Sequence, residues 1–249
     1  MPFNAPKKYW DLYQREQIQL AQNPYRPKAL PRQVTSSGEI RGYGKITTTK
    51  DEDFQREAKH GYYACVSYID AQIGLILDEL DRLKLTENTI VVILGDHGWH
   101  LGEHGFWGKH NLMNHATRAP LIVRVPHCKG GKAEGVVEFV DIYPTLCELC
   151  GMSVPDSQLQ GKSFVPILQD SGKRTKEYAF VQWKDGYNIV SEKYSSTIWL
   201  RGDSVVARMM FDRQSDAAEN ENKASTESLC KEFEKQEVQI KMKKLRLEK

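Results

Sequence analysis

Several features that would point to common classes of protein are scarce in this sequence. No apolar run approaches the roughly 18–20 residues that a membrane helix needs. The formal net charge is only +2, which argues against nucleic acid or an anionic membrane as the main partner. The five cysteines are an odd number, which gives no disulfide framework. The first ten residues also lack the apolar core of a secretory signal, so the sequence does not indicate a compartment.

Two of the cysteines form a C-x-x-C pair, which can indicate redox or zinc chemistry. Cys147 and Cys150 lie inside an apolar helical pattern that ends at Gly151. A second pair that could complete a zinc tetrad is missing from the sequence. We therefore predict that both are core thiols.

The first part of the chain changes from irregular to strongly helical. Residues 1–50 contain Pro2, Pro6, Pro24, Pro27 and Pro31, which leave room only for a short helix within 7–16. Residues 53–83 then predict one long amphipathic helix, because apolar residues recur at steps of three and four. The predicted stripe consists of Tyr62, Val66, Ile69, Ile73, Ile76, Leu80 and Leu83.

The most informative stretch is 89–109. Its apolar, β-branched run at 90–94 predicts a strand buried on both faces of a parallel sheet. Asp96 and His97 follow directly, at the end of the strand where open α/β sheets place their ligands. The glycine-rich loop up to Lys109 also carries His100, Glu103 and His104. Any one of these residues is typical of an ordinary turn or a solvated loop, but the cluster favours a functional site.

The remaining pattern changes from α/β to antiparallel β. We expect a second buried strand at 119–126, a third extended run at 136–140, a helix at 141–150 and an irregular segment at 153–173. Short strands follow near 178–183, 187–191, 195–200 and 205–211. The tail at 225–249 is a charged helical pattern, typical of a solvated or frayed terminal helix. The predicted domain limits are 1–170 for the α/β domain, 171–224 for a small antiparallel subdomain and 225–249 for the terminal helix.

The loop and its neighbours carry a resemblance to a known family. DHGWHLGEHGFWGK at 96–109, ATRAPLIVRVP at 116–126 and GKSFVPIL at 161–168 are similar to the later part of the sulfatase family. The branch that they resemble most contains iduronate-2-sulfatase and its bacterial relatives. The similarity extends over nearly the whole chain, although Asp216-Ala217 stands where the family usually has Asp-Pro.

The resemblance implies a fold and a chemistry. The fold would be an α/β sandwich like that of alkaline phosphatase, incomplete because its N-terminal strands are missing. The activity would be hydrolysis of sulfate esters on sulfated sugars or glycosaminoglycans, with a formylglycine nucleophile made within a C/S-x-P-x-R motif. A divalent cation, most often Ca²⁺, would hold the sulfate. Members of the family are typically lysosomal, periplasmic or secreted.

Matched residue by residue, the resemblance assigns roles within the loop. Asp96 and His97 would be metal ligands, Lys109 would contact the sulfate and act in catalysis, and Trp99 and His110 would contact substrate together with Lys109. A carboxylate such as Asp96 suits a hard cation, and a fixed ammonium stabilises charge that develops in the transition state. Imidazole suits zinc or iron better than calcium, so calcium as the ion depends on the resemblance alone.

Much of the family's machinery is absent from these residues. None of the 249 residues forms a C/S-x-P-x-R motif, and the paired aspartates that complete the family's metal cage are also missing. We therefore expect the later part of a sulfatase that is inactive as an isolated chain. Its uncovered sheet edge and helix faces predict poor solubility unless the complementary N-terminal segment is present as a partner.

Two alternatives stay open. A metal-dependent phosphodiesterase or phosphomutase of the same superfamily would also place Asp-His after a strand. A non-catalytic remnant that binds sulfated glycans is the other, although the retention of Asp96, His97 and Lys109 together argues against it. The remaining polar residues of the region are equally compatible with substrate contact and with a loop role, namely His100, His104, His115 and Arg118.

Overall fold

The computed structural model describes residues 3–43, 46, 48–154 and 159–247. The chain falls into two compact units, Met1–Arg26 with Val34–Pro126, and Pro27–Gln33 with His127–Lys249. Residues 1–2 of the proline-rich segment, 155–158 of the irregular segment and 248–249 of the tail lie outside the described residues. The predicted domain limits at 170 and 224 stay a prediction.

The first unit is built around one long helix. Its described helices are α1 (Lys7–Trp10), α2 (Glu39–Gly42), α3 (Glu52–Arg82) and α4 (Asn114–Thr117). Its described strands are β1 (Val91–Leu94), β2 (His100–Leu101), β3 (Trp107–Gly108) and β4 (Leu121–Arg124). Short 3-10 turns lie at Arg15–Gln17, Thr86–Asn88 and Glu103–Gly105.

Helix α3 confirms the predicted amphipathic helix to within one residue at each end. Asp51 caps it, because the Asp51 side chain accepts a hydrogen bond from the backbone N–H of Asp53 at 2.9 Å. Its first half is buried, and a Cβ at Gly61 would lie 2.8 Å from the carbonyl oxygen of Phe3. A glycine is therefore needed for the N-terminal segment to cross the helix so closely.

The second half of α3 is not covered by the described chain. Apolar side chains of the predicted stripe are exposed there, namely Val66, Ile69, Ile76 and Leu83. The prediction of an uncovered apolar helix face is therefore confirmed for the described residues.

Strands β1 and β4 correct the prediction of a buried parallel sheet. They pair antiparallel, with Val91 opposite Arg124 and Leu94 opposite Leu121, and both are partly exposed. A run of β-branched residues indicates a strand but not its direction. A parallel pair needs a crossover that is usually a helix, and the only α-helix in the intervening residues 95–120, all of them described, is the four-residue α4.

The second unit is a four-stranded meander with a terminal helix. Its strands are β5 (Ala179–Trp183), β6 (Gly186–Val190), β7 (Tyr194–Arg201) and β8 (Ser204–Asp212), all antiparallel to their neighbours. The four predicted strands are confirmed. The described helices are α5 (Ile142–Leu149), α6 (Val165–Gln169) and α7 (Cys230–Leu247), with 3-10 turns at Phe139–Asp141 and Glu227–Leu229.

Three local predictions in this unit are wrong. The third extended run is not a strand, because Asp141 and Glu138 form a capping box that turns residues 139–141 into a 3-10 helix. Cys147 is buried as predicted, but Cys150 is exposed, since it lies beyond the end of α5. Helix α7 is not merely solvated, because Phe233 and Ile240 are buried in the core cluster that the sheet forms with it.

None of the described helices combines the length and the apolar character that crossing a membrane would require.

Candidate functional site

The loop after β1 places the predicted site residues around one indole ring. The ring centre of Trp99 lies 6.1 Å from that of His97. The Nζ atom of Lys109 lies 5.3 Å from the centre of the Trp99 ring, within cation–π range. The structure therefore brings His97 and Lys109 to the same indole ring, although Trp99 and Lys109 are ten positions apart along the chain.

The lysine is held by a carboxylate that the sequence did not reveal. Lys109 donates a hydrogen bond from Nζ to Oε1 of Glu39 at 3.2 Å, and both side chains are mostly buried. The Tyr43 hydroxyl donates to the same oxygen. Burial opposes ionisation of Glu39, but the hydrogen bonds from Tyr43 and Lys109 outweigh it and hold the pKa of Glu39 below its usual range. Glu39 is therefore a fixed anion that orients the Lys109 ammonium.

His110 joins the same group from the other side of Glu39. The Nδ1 atom of His110 lies 2.7 Å from the Ser37 hydroxyl, and 3.9 Å from Oε2 of Glu39. Gly108 makes this approach possible: its φ is +94°, and a Cβ there would lie 2.7 Å from the Ser37 Cβ. The hairpin formed by β2 and β3 can approach Ser37 this closely only because residue 108 has no side chain.

Asp96 is bound to His97 but faces solvent. Oδ2 of Asp96 lies 3.1 Å from Nε2 of His97, and the Asp96 side chain is 86% exposed. Nδ1 of His97 lies 2.8 Å from the carbonyl oxygen of Gly98. A carbonyl oxygen only accepts, so Nδ1 carries a proton. Nε2 therefore either carries a second proton or presents a lone pair to the carboxylate.

If Nε2 of His97 presents a lone pair, a cation between it and the Asp96 carboxylate would bind both atoms. Two ligand atoms about 3 Å apart match neighbouring positions around a cation whose bonds are about 2.1–2.4 Å long. The pair thus fits as one side of a cation site. It cannot fill the site alone, because calcium takes about 6–8 oxygen ligands.

The other polar residues of the loop make contacts of their own, away from the Trp99 ring. His100 and His104 are buried, and their rings contact that of His115. Arg118 is exposed. Glu39 and Ser37 were missed because they lie in the segment that its prolines marked as irregular. No local pattern could have connected them with a loop some seventy positions later.

Two family models match the sequence. The sulfatase model matches residues 1–152, and the model for the C-terminal region of N-sulphoglucosamine sulphohydrolase matches residues 102–248. The first alone covers more than half of the chain. The chain belongs to the sulfatase family. The resemblance carried by residues 96–109 is thereby confirmed.

Similar proteins agree with this membership. Human iduronate 2-sulfatase is 34% identical over 219 residues, which cover 72% of this chain and 39% of the relative. The chain spans less than half the length of the curated relatives that it matches, from 34% to 44% for three of them.

Solved structures share the fold. One, described as a complex with its substrate D-glucosamine-2-N,6-O-disulfate, superposes with a TM-score of 0.68 and 24% identity over 83% of this chain and 45% of that chain. Phosphonate monoester hydrolase from Silicibacter pomeroyi superposes with a TM-score of 0.80 and 20% identity over 98% of this chain and 54% of that chain. The predicted alkaline-phosphatase-like α/β fold with a small antiparallel sheet is confirmed, and the chain corresponds to only part of it.

Proposed function

We propose that this chain supplies one side of the active site of a sulfuric ester hydrolase that acts on sulfated sugars or glycosaminoglycans. The observation that carries the proposal is that His97, paired with Asp96, and Lys109 both lie next to the Trp99 ring. A cation ligand pair and an ammonium beside one indole ring suit an anionic ester on a sugar. Family membership favours sulfate as that ester.

In this proposal, Asp96 and His97 hold part of the coordination sphere of a divalent metal, with Ca²⁺ suggested by the family resemblance. When bound, such a cation polarises the sulfate and offsets charge that develops on its oxygens. The chain's own residues leave the rest of the coordination sphere to be supplied elsewhere.

Lys109 is proposed to contact the sulfate and to stabilise charge on the bridging oxygen. Its ammonium is already oriented by Glu39 at 3.2 Å and by the face of Trp99, so little reorganisation is needed when the ester arrives. Removing one such donor costs roughly 10²–10³ in kcat in comparable sites. Trp99 and His110 would contact the sugar on either side of this lysine.

The nucleophile must come from outside these 249 residues, because they contain no C/S-x-P-x-R motif. We propose that it lies in a segment equivalent to the part of the relatives that this chain does not match. The exposed apolar side chains of α3 support this, because a face of that kind is normally covered in a folded enzyme.

The test measures sulfate release from a sulfated disaccharide and from an aryl sulfate. The chain is assayed alone and after co-expression with a polypeptide that carries the earlier half of a related sulfatase, including its C/S-x-P-x-R motif. We expect turnover only for the combination. Lys109→Met should lower it by roughly 10²–10³, and Asp96→Asn should raise the concentration of added Ca²⁺ that half-maximal turnover requires. His127→Gln, on the exposed surface of the other unit, is the matched control.

Three results would contradict parts of the proposal. Turnover by the chain alone would disprove the need for a second segment. Cleavage of phosphodiesters in preference to sulfate esters by the combination would favour the phosphodiesterase alternative. Binding of a sulfated glycan without turnover in any combination would favour the non-catalytic remnant.

A further inference from the structure

A second group of side chains that could hold a metal lies in the same unit and does not include Asp96, His97, Trp99 or Lys109. One ring nitrogen from each of His100, His104 and His115 lies within 4.8 Å of one from each of the others. The ring centres are 5.3 Å apart for His100 and His115, and 6.0 Å apart for the two pairs that include His104. β2, the 3-10 turn Glu103–Gly105 and α4 each contribute one of the three.

One ring nitrogen of two of these histidines lies next to an asparagine amide. Nε2 of His100 lies 3.3 Å from Oδ1 of Asn111, and that oxygen also accepts a hydrogen bond from the backbone N–H of Met113 at 3.0 Å. Nε2 of His104 lies 3.0 Å from the side-chain amide of Asn23. Histidines that bind metals usually donate their other ring N–H to such an oxygen, which fixes the orientation of the ring.

Two other ring nitrogens of the cluster have no such partner. Nδ1 of His100 and Nδ1 of His115 are buried, and neither has a hydrogen-bond partner within the described ranges. Leaving a buried polar atom without a partner is costly, so such atoms usually mark a missing water, ion or ligand. Two of them in one three-histidine cluster point to a shared ligand.

We propose that His100, His104 and His115 form a transition-metal site, of the zinc type, separate from the Asp96–His97 pair. Three imidazole nitrogens suit Zn²⁺ and its neighbours and do not suit Ca²⁺ or Mg²⁺, which require oxygen ligands. Three nitrogens at most 4.8 Å apart need to move inward by less than about 1 Å each to reach Zn–N bonds of about 2.0–2.1 Å. Asn23 would then present its amide oxygen to His104.

The position of the site indicates what it does. It joins the hairpin and the 3-10 turn to α4, so its role is to hold together the loop that carries Trp99 and Lys109. His115 is only partly buried, and three protein ligands leave the fourth position of a tetrahedral zinc ion to water. The proposal does not depend on the reaction proposed above.

The test is equilibrium dialysis of the full chain against buffered Zn²⁺, which does not require the chain to be monomeric. We expect one bound zinc per chain, and excess Ca²⁺ should not displace it. His115→Gln and His100→Gln should each weaken zinc binding by more than the roughly 10–100-fold that loss of an outer partner costs. His127→Gln is the control and should bind zinc like the unmodified chain.

A second measurement covers the case in which a variant fails to fold. Co²⁺ replaces Zn²⁺ in the unmodified chain. A four-coordinate site with three nitrogen ligands should give intense visible absorption that added Zn²⁺ abolishes. Failure of the unmodified chain to bind zinc, or the same affinity in folded His115→Gln and His100→Gln variants, would overturn the proposal. A weak absorption spectrum like that of hydrated Co²⁺ would overturn it too.

Discussion

Gly98 fixes the distance between the Asp96–His97 pair and the segment that carries His115. Its backbone N–H donates to the carbonyl oxygen of Ala116 at 2.9 Å. A Cβ at this position would lie 2.2 Å from the carbonyl oxygen of His115 and 2.7 Å from that of Arg118. Both are backbone atoms, so neither can move away as a flexible side chain would. The requirement for glycine therefore comes from the close approach of two backbones.

Gly98→Ala should lower the free energy of unfolding by about 1–3 kcal/mol or more, as overpacking at a rigid contact does. Urea unfolding followed by circular dichroism measures it. Gly74→Ala is the matched control, because Gly74 lies inside α3 with no atom within 4 Å of its added Cβ. That control should be stabilised by about 0.5–1 kcal/mol. Equal stability of Gly98→Ala and the unmodified chain would show that the close approach is absent in solution.

At the residue scale, sequence reasoning found the part of the site that is contiguous along the chain. Asp96, His97, Trp99 and Lys109 lie within one strand end and its loop, so their types and spacing could be read together. Glu39 could not be found, because its role depends on a contact with Lys109 that only the folded chain makes. The site roles of the contiguous residues stay predictions.

Elements of the second unit depend on the docking of α7. Phe233 and Ile240 are almost fully buried in the cluster that includes Tyr187 and Ile198. Gln236, one turn after Phe233, is also buried, and the hydroxyl of Ser196 donates a hydrogen bond to its side-chain oxygen. The helix thus covers one side of the β5–β8 sheet with an apolar stripe and one polar contact.

Phe233→Ala should cost about 3–5 kcal/mol of unfolding free energy, the usual range for removing a buried aromatic ring. Protease should also cleave the tail faster, because α7 would lose its main anchor. Val238→Ala is the control: Val238 lies on the same helix with 56% of its surface exposed, and its removal should change stability by no more than about 0.5 kcal/mol. If both variants unfold at the same urea concentration, α7 does not contribute to the core in solution.

The strength of local pattern explains which elements were predicted. The β-branched and aromatic runs in β5 to β8 and the three-and-four spacing in α3 indicate the type of element within the segment itself. The pairing direction of β1 and β4 depends on residues far apart in sequence, and the prediction of a parallel sheet was wrong. Helix α7 was judged by its many charges. A stripe as narrow as Phe233, Gln236 and Ile240 does not stand out against them, although it is enough to bury one face.

On the scale of the molecule, the first unit exposes an apolar face that its described residues do not cover. Val66, Ile69 and Ile76 of α3 are each more than half exposed, although their spacing is that of a core stripe. In the pair formed by β1 and β4, Leu94 and Ile122 are also exposed. Apolar groups in such number favour association in water, since about 25 cal/mol is gained for each Å² of apolar surface that is buried. The chain also spans less than half of its relatives, which provides a candidate for what covers this face.

If that face drives self-association, Ile76→Lys should shift the isolated chain from aggregates toward monomer. Its thermal unfolding should hardly change, because Ile76 is 64% exposed and few contacts are lost. Light scattering coupled to gel filtration measures the shift. Asp78→Asn is the matched control, since it raises the net charge by the same single unit at an exposed position of α3 without removing an apolar side chain. A monomeric unmodified chain would contradict the prediction. Equal gains in solubility from both variants would attribute the effect to charge, so that only a larger gain from Ile76→Lys identifies the apolar face as the cause.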